Sequence, residues 1–393
     1  MIELVRKDQR MTQGQLGEAL RLSQSAVSRL EKRGPGAYST DVLTAVAAHL
    51  GIPPALLGLA GAGGGVQAED GSDVKRRNFL GGAAAAVAAP TLSLLPDGDS
   101  RSGQAAALRL STSAYRRLDG MTPSRDLTEA VHGHMRLIRT ISSTAGAADR
   151  ARLAAVGSEA ASLAGWLAWD MGDNGSARAW YGSAIKAAQA AADPLLAAYQ
   201  MGSLAQFEAH AGNGIQALNL AQRARRALGE ECPPVADAWL SSVEALGYAA
   251  SGDRRSTDKA LAASRGRAQT LPEELPPWPW VFAFGPAKVA ACRVTCGAWL
   301  GISDWVAEGD VEALTTGHAK QRALLVLDIA AGHLAGGRVE AAFALAGRSL
   351  DTALQYRSGR IVERARDVRR SLTSVSPPKI VREFDERLHG VYL

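Results

Sequence analysis

Apolar residues recur at helical spacing along almost the whole chain, and no stretch alternates apolar with polar as a strand would. Over residues 1–58 the apolar faces are short. Ile2, Leu4 and Val5 mark a first helix, Leu16, Ala19 and Leu20 a second, and Ala26, Val27 and Leu30 a third. Val42, Leu43, Val46, Ala47 and Leu50 mark a fourth, after which Gly51-Ile-Pro-Pro54 ends one helix and opens a fifth. Thr12, with Gln15 three residues on, has the form of a capping box, and Ser23 is a further N-cap. Gly17 costs about 1 kcal/mol against alanine inside a helix, so another constraint must keep it there.

From about residue 102 the helical pattern is continuous and punctuated by glycine turns. Met171-Gly-Asp173, Ala211-Gly-Asn213 and Ser251-Gly-Asp253 are equivalent, their glycines spaced by 40 residues. Turns at Gly301 and at Gly336-Gly337 continue the series less regularly. Two helices around such a turn, repeated, predict an α-solenoid. Between the two regions, residues 59–73 are rich in glycine and small polar residues and read as a linker. The run Lys75-Arg-Arg-Asn-Phe-Leu80 and the alanine-rich segment to Pro90 follow. With Arg76-Arg77 it resembles a twin-arginine export signal; the same residues also read as a tether or docking helix between domains. The expected organisation is therefore all-α: a five-helix domain over 1–58, a linker over 59–101, and a helical repeat domain over 102–393.

On the third helix, burial of Ala26, Val27 and Leu30 leaves Gln24, Ser25, Ser28 and Arg29 facing away from the core. These side chains suit base edges, arginine for guanine and glutamine for adenine. The runs Met11–Leu20, Leu22–Lys32 and Leu43–Ile52 together resemble the Xre/Cro family of helix-turn-helix repressor domains. That resemblance implies a lambda-repressor-like fold and binding to double-stranded DNA. It places the recognition positions at Gln24, Ser25, Ser28 and Arg29, with Lys32 and Arg33 at the end of that helix, and phosphate contacts at Thr12 and Gln13. The first helix is shorter at its N-terminus than in the family. Residues 1–58 carry seven Lys and Arg against five acids, too small an excess for tight binding as a monomer, so a homodimer on a two-part site is expected.

The repeat region is similar to tetratricopeptide repeats, as in Trp166-Leu-Ala-Trp-Asp170 ahead of Ala177-Arg-Ala-Trp-Tyr181. The layout resembles actinobacterial regulators that join an Xre domain to such repeats. Concave solenoid faces bind ligands, which nominates Trp169, Asp170, Tyr199, Gln206 and Trp239 as contacts for a peptide, small-molecule or protein effector. Trp278 and Trp280, set between prolines, either cover a pocket or plug a seam between repeats. The basic run Arg357–Arg370 reads as a solvated helix face, and scattered Asp and Glu as surface residues.

Net charge is +5 over 393 residues, which permits nucleic-acid binding without requiring it. Three cysteines cannot build a disulfide framework, and Cys292 and Cys296 read as buried thiols, in keeping with a cytoplasmic location. His132 and His134 lie two apart, off a shared helical face, so no metal site is expected. No nucleophile elbow, phosphate loop or cofactor motif occurs, so the chain does not read as an enzyme. Two functional readings stand: a transcriptional regulator whose repeat domain dimerises and senses an effector, and an interaction scaffold that the helix-turn-helix merely localises.

Overall fold

The computed structural model describes residues 2, 6, 11–20, 22–33, 40–50 and 100–391, except 231, 273–278, 280–283, 307–317 and 374–375, and among these all regular structure is helical. The chain divides into two compact units, Met1–Pro96 and Asp97–Leu393. The expected fifth helix, the linker and the Arg76-Arg77 segment lie outside the described residues, as do Leu4, Val5, Trp278 and Trp280.

In the first unit, α1 (Gln13–Leu20), α2 (Gln24–Arg33) and α3 (Thr40–Leu50) follow one another through short connections. Their apolar stripes converge on one core of Ile2, Leu16, Val27, Leu30, Leu43, Val46, Ala47 and Leu50. Two expected core positions differ: Ala19 is exposed and Ala26 half-buried. A methyl side chain packs acceptably on either side of a core boundary, so helical spacing alone does not place it. The capping box forms as a reciprocal pair, with Thr12 N donating to Gln15 Oε1 at 2.8 Å and Gln15 N to Thr12 Oγ1 at 3.2 Å. Ser23 Oγ accepts from Ala26 N at 3.2 Å. The constraint on Gly17 is steric: a Cβ there would lie 2.6 Å from the Leu22 carbonyl oxygen. The chain folds back at this point, with Leu22 N donating to Gly17 O at 2.7 Å.

The second unit begins with α4 (Ser100–Leu118), a 3-10 turn (Asp119–Met121) and α5 (Ser124–Thr144). Helical hairpins then stack in series. The first is α6 (Ala147–Asp170) with α7 (Asn174–Ala190), the second α8 (Pro194–His210) with α9 (Gly214–Leu228), and the third α10 (Pro234–Ala250) with α11 (Arg254–Ala268). Helix α12 (Pro286–Leu300) leads to a further hairpin, α13 (Ala319–Ala335) with α14 (Val339–Tyr356), and then α15 (Gly359–Arg370) and α16 (Lys379–His389).

The three equivalent hairpin turns carry Gly172, Gly212 and Gly252 at φ of 85°, 81° and 76°. This is the left-handed conformation that glycine adopts without steric cost. The next residue starts the return helix, and Asp173 and Asp253 each accept a backbone N–H three residues on. Long, nearly all-apolar first helices such as α8 and α10 are buried on most sides by neighbouring hairpins. One core cluster runs from Ala155 to Trp305 and another from Ala323 to Val391.

The series closes on itself. Helix α15 packs against α6 as well as against α13 and α14. The approach is close enough that a Cβ on Gly359 would lie 2.5 Å from the Met171 carbonyl oxygen. Contacts in a simple solenoid run only between neighbours, so this closure requires specific chemistry, found at Lys320. Among the described residues, no helix is long and apolar enough to cross a membrane.

Candidate nucleic-acid interface

Helix α2 separates its residues cleanly. Val27 and Leu30 are buried, while Gln24, Ser25 and Arg29 are exposed and Ser28 is half-buried. The exposed face is polar and pre-ordered at its start. Ser23 Oγ and Ser25 Oγ lie 3.0 Å apart, and Arg29 Nε donates to Ser25 O at 3.3 Å. The Arg29 side chain thus folds along its own helix, with the rest of its guanidinium left to reach outward. Lys32 and Arg33 continue the helix, their side chains outside the described residues.

Thr12 stands exposed at the start of α1. Gln13 is half-buried, and its amide donates to Glu31 Oε2 at 2.6 Å. Glu31 also receives Arg6, whose Nε lies 2.6 Å from Oε1 and whose Nη1 donates to Met11 O at 2.6 Å. The Arg6 and Glu31 side chains are 7% and 2% exposed, so this ion pair is interior. It ties the start of the chain, the entry to α1 and the end of α2 into one body. Sequence reading treated Arg6 and Glu31 only as charges in a balance and missed this role. The available signal was the position of Glu31 beside Leu30 and one turn beyond Val27, at the edge of the buried face of α2.

The residues nominated on the repeats are less open than expected. Trp169 and Asp170 are buried, and Tyr199, Gln206 and Trp239 are half-buried. Tyr199 and Trp239 stack at 5.3 Å, and the Tyr199 hydroxyl accepts from Arg116 at 3.1 Å. Asp170 belongs to an interior polar cluster centred on Lys320, whose side chain is 3% exposed. Lys320 Nζ donates to Asp119 Oδ1 at 2.5 Å, Ser124 Oγ at 2.9 Å and Asp170 Oδ2 at 3.1 Å. Ser358 Oγ donates to Asp170 Oδ1 at 2.7 Å, and the Trp166 indole to Asp119 Oδ2 at 2.8 Å. Burial raises the Asp119 carboxyl, but the hydrogen bond from His318 and the charge of Lys320 outweigh it and hold the pKa at about 2.

Two sequence expectations need correction here. Asp119, Glu159, Asp170, Glu208 and Asp328 are buried. Lys320 and the Ser124 and Ser358 hydroxyls compensate Asp119 and Asp170, Arg178 pairs with Glu208, and Thr295 and Arg364 hold Asp328. The run Arg357–Arg370 is only partly a solvated face: Arg366 and Arg370 pair with Glu363 and Asp367 at the surface, while Arg360 and Arg364 turn inward. Arg364 meets Asp328 at 2.8 Å, and the guanidinium of Arg360 lies 3.4 Å from the Trp169 ring centroid. Cys296 is buried, with its thiol pKa pushed well up by burial, and Cys292 is half-buried with its sulfur 4.0 Å away. His134 is buried beside Thr112, while His132 packs on Trp180. Among the described residues, no group of three His, Cys, Asp or Glu side chains could hold a metal ion.

No curated protein matches the chain. Residues 2–57 match the family described as Helix-turn-helix, and the geometry of α1 and α2 agrees with that description. The N-terminal unit therefore carries an Xre-like helix-turn-helix domain, which makes DNA its expected partner.

Proposed function

We propose that the protein is a sequence-specific transcriptional regulator that binds double-stranded DNA as a homodimer and responds to an effector through its C-terminal unit. The observation that carries this reading is the polar face of α2. Gln24, Ser25 and Arg29 stand exposed on a helix whose opposite face is fixed in a core and whose end is held by the Arg6–Glu31 pair. A rigid helix presenting short or planar hydrogen-bonding side chains is what base-edge readout in a major groove needs.

The small net charge of residues 1–58 favours two heads on two half-sites over one head alone. The C-terminal unit supports the sensing role through its tetratricopeptide-like hairpins and their interior of charged and aromatic side chains. An effector acts there only by binding one state of the unit better than another. No chemical step is assigned to the chain, and its place of action is the cytoplasm, with the DNA.

The test is binding of the full chain to a fragment from upstream of its own coding sequence, against an unrelated fragment, over a salt titration. Preferred binding that weakens steeply with salt, and loses its preference in Gln24→Ala/Arg29→Ala with helix content unchanged, supports the reading. Equal binding by the wild type and that variant overturns it.

A further inference from the structure

Arg360 differs from the other inward arginines of the C-terminal unit. Arg225 pairs with Asp237 and Glu244, and Arg364 with Asp328, while Arg116 donates to Tyr199 and to the Glu159 carbonyl. Arg360 instead sets its guanidinium carbon over Trp169, at 3.4 Å from the ring centroid, with Trp166 at 5.2 Å. Among the described residues no carboxylate lies within ion-pair distance of it and no hydrogen bond satisfies it. The nearby Asp170 already accepts from Ser124, Ser358 and Lys320. A guanidinium carries five N–H donors in its plane. Stacking covers a face and leaves that edge unmatched.

The surroundings are aromatic. Trp169 meets His210 edge to face at 5.1 Å, and His210 meets Trp299 at 5.0 Å. His210 Nδ1 donates to Gln206 O at 2.9 Å, which leaves Nε2 as an acceptor. Burial, with the charge of Arg360 adding to it, pushes the His210 pKa down to about 3, so the ring is neutral. Burial also lowers the Arg360 pKa, to about 10, with Asp170 and Tyr181 only partly offsetting it. Arg360, Trp166, His210 and Trp299 are each half-buried.

We propose that Arg360, walled by Trp166, Trp169, His210 and Trp299, is the effector site of the C-terminal unit and recognises a carboxylate carried on a flat aromatic body. The fork of the guanidinium matches a carboxylate in two parallel hydrogen bonds. The indole and imidazole surfaces supply flat, desolvated walls for a ring. Ser358, two residues before Arg360, holds Asp170 of the Lys320 cluster. A ligand drawn onto Arg360 therefore stabilises the closed arrangement of the unit, which is how occupancy would be transmitted. The assignment rests on the reading of this unit as the sensing part.

The experiment titrates the full chain with benzoate at millimolar concentrations, by calorimetry and tryptophan fluorescence, with acetate, benzyl alcohol and inorganic phosphate as separate arms. The expected result is saturable benzoate binding, weaker acetate and phosphate binding, and none for benzyl alcohol. Arg360→Met is expected to weaken benzoate by about tenfold or more, the worth of a charged hydrogen-bond pair. Without ligand, its melting temperature should be unchanged or higher, since an unmatched interior charge is removed. Absent or non-saturable benzoate binding, equal binding by Arg360→Met, or phosphate binding as tightly as benzoate overturns the assignment. So does a lower melting temperature of the ligand-free variant, which would make Arg360 a structural pin. DNA binding of the ligand-free chain, measured separately, distinguishes this failure from failure of the regulator reading, because preference for DNA is then read without benzoate.

Discussion

Both units bury an ion pair, but to different ends. In the N-terminal unit Arg6 and Glu31 lie 25 residues apart and, with Gln13, tie neighbouring segments of one small core. In the C-terminal unit Lys320 reaches Asp119 across 201 residues of chain and Asp170 across 150. The first pair braces the small core behind the exposed polar face of α2. The second joins parts of a hairpin series that nearest-neighbour packing would leave apart. The contrast teaches that a buried charge in the small domain joins near neighbours, whereas in the C-terminal unit it joins segments far apart in the chain.

The largest effect expected from breaking this comparison is at Lys320. Lys320→Ala leaves two carboxylates buried without their cation, which costs about 3–5 kcal/mol. Urea unfolding of the full chain should show the loss in the transition of the C-terminal unit, and small-angle scattering should show expansion of the native state. The mirror experiment is Glu31→Ala, which strands Arg6 and removes the acceptor of Gln13, at about 3 kcal/mol. Amide exchange should accelerate across α1 and α2 while the hairpin unit stays protected. If either substitution destabilised both units equally, the division of roles would fail.

Acid sharpens the contrast. The folded pKa of Asp119 lies below its unfolded value, so its contribution is full above about pH 4 and is lost as pH falls toward about 2. His210 is held neutral with a pKa of about 3, so between about pH 6.5 and 3 the unfolded chain takes up a proton that the folded chain refuses. Both signs make the C-terminal unit lose stability as pH falls, beginning below about pH 6.5 with His210. A melting series from pH 7 to 4 should show that decline, and His210→Phe should flatten its upper part.

Smaller effects lie at the caps and turns. Gly17→Ala gains about 1 kcal/mol of helix propensity, yet the 2.6 Å approach to the Leu22 carbonyl makes the net change destabilising by about 1–2 kcal/mol. Thr12→Ala removes one side of the capping box and should cost about 1 kcal/mol. Thermal melts of the two variants check the order.

The sequence made the local devices legible. Thr12 with Gln15, the Ser23 cap, and the apolar spacing of Leu16, Val27, Leu30, Val46 and Leu50 each depend on residues within a few turns. The glycines at 172, 212 and 252 announce their turns because few other residues tolerate that φ. Closure was not legible. Lys320, Asp119 and Asp170 sit far apart in the chain, and nothing in the spacing around each one marks a partner in space. Asp170 and Trp169 are nominated as open contacts, but both are buried. They stand inside the closed unit, Asp170 under Lys320 and Trp169 under Arg360. Arg360 itself is hidden in a basic run in which Arg357 and Arg370 face solvent while Arg364 also turns inward.

The most direct test of the central claim is selection of bound duplexes from a random-sequence DNA pool by the full chain. The account predicts a two-part motif with related half-sites for the wild type, and loss of that motif in Gln24→Ala/Arg29→Ala with the fold intact. No enriched motif, or the same motif from both proteins, would contradict it.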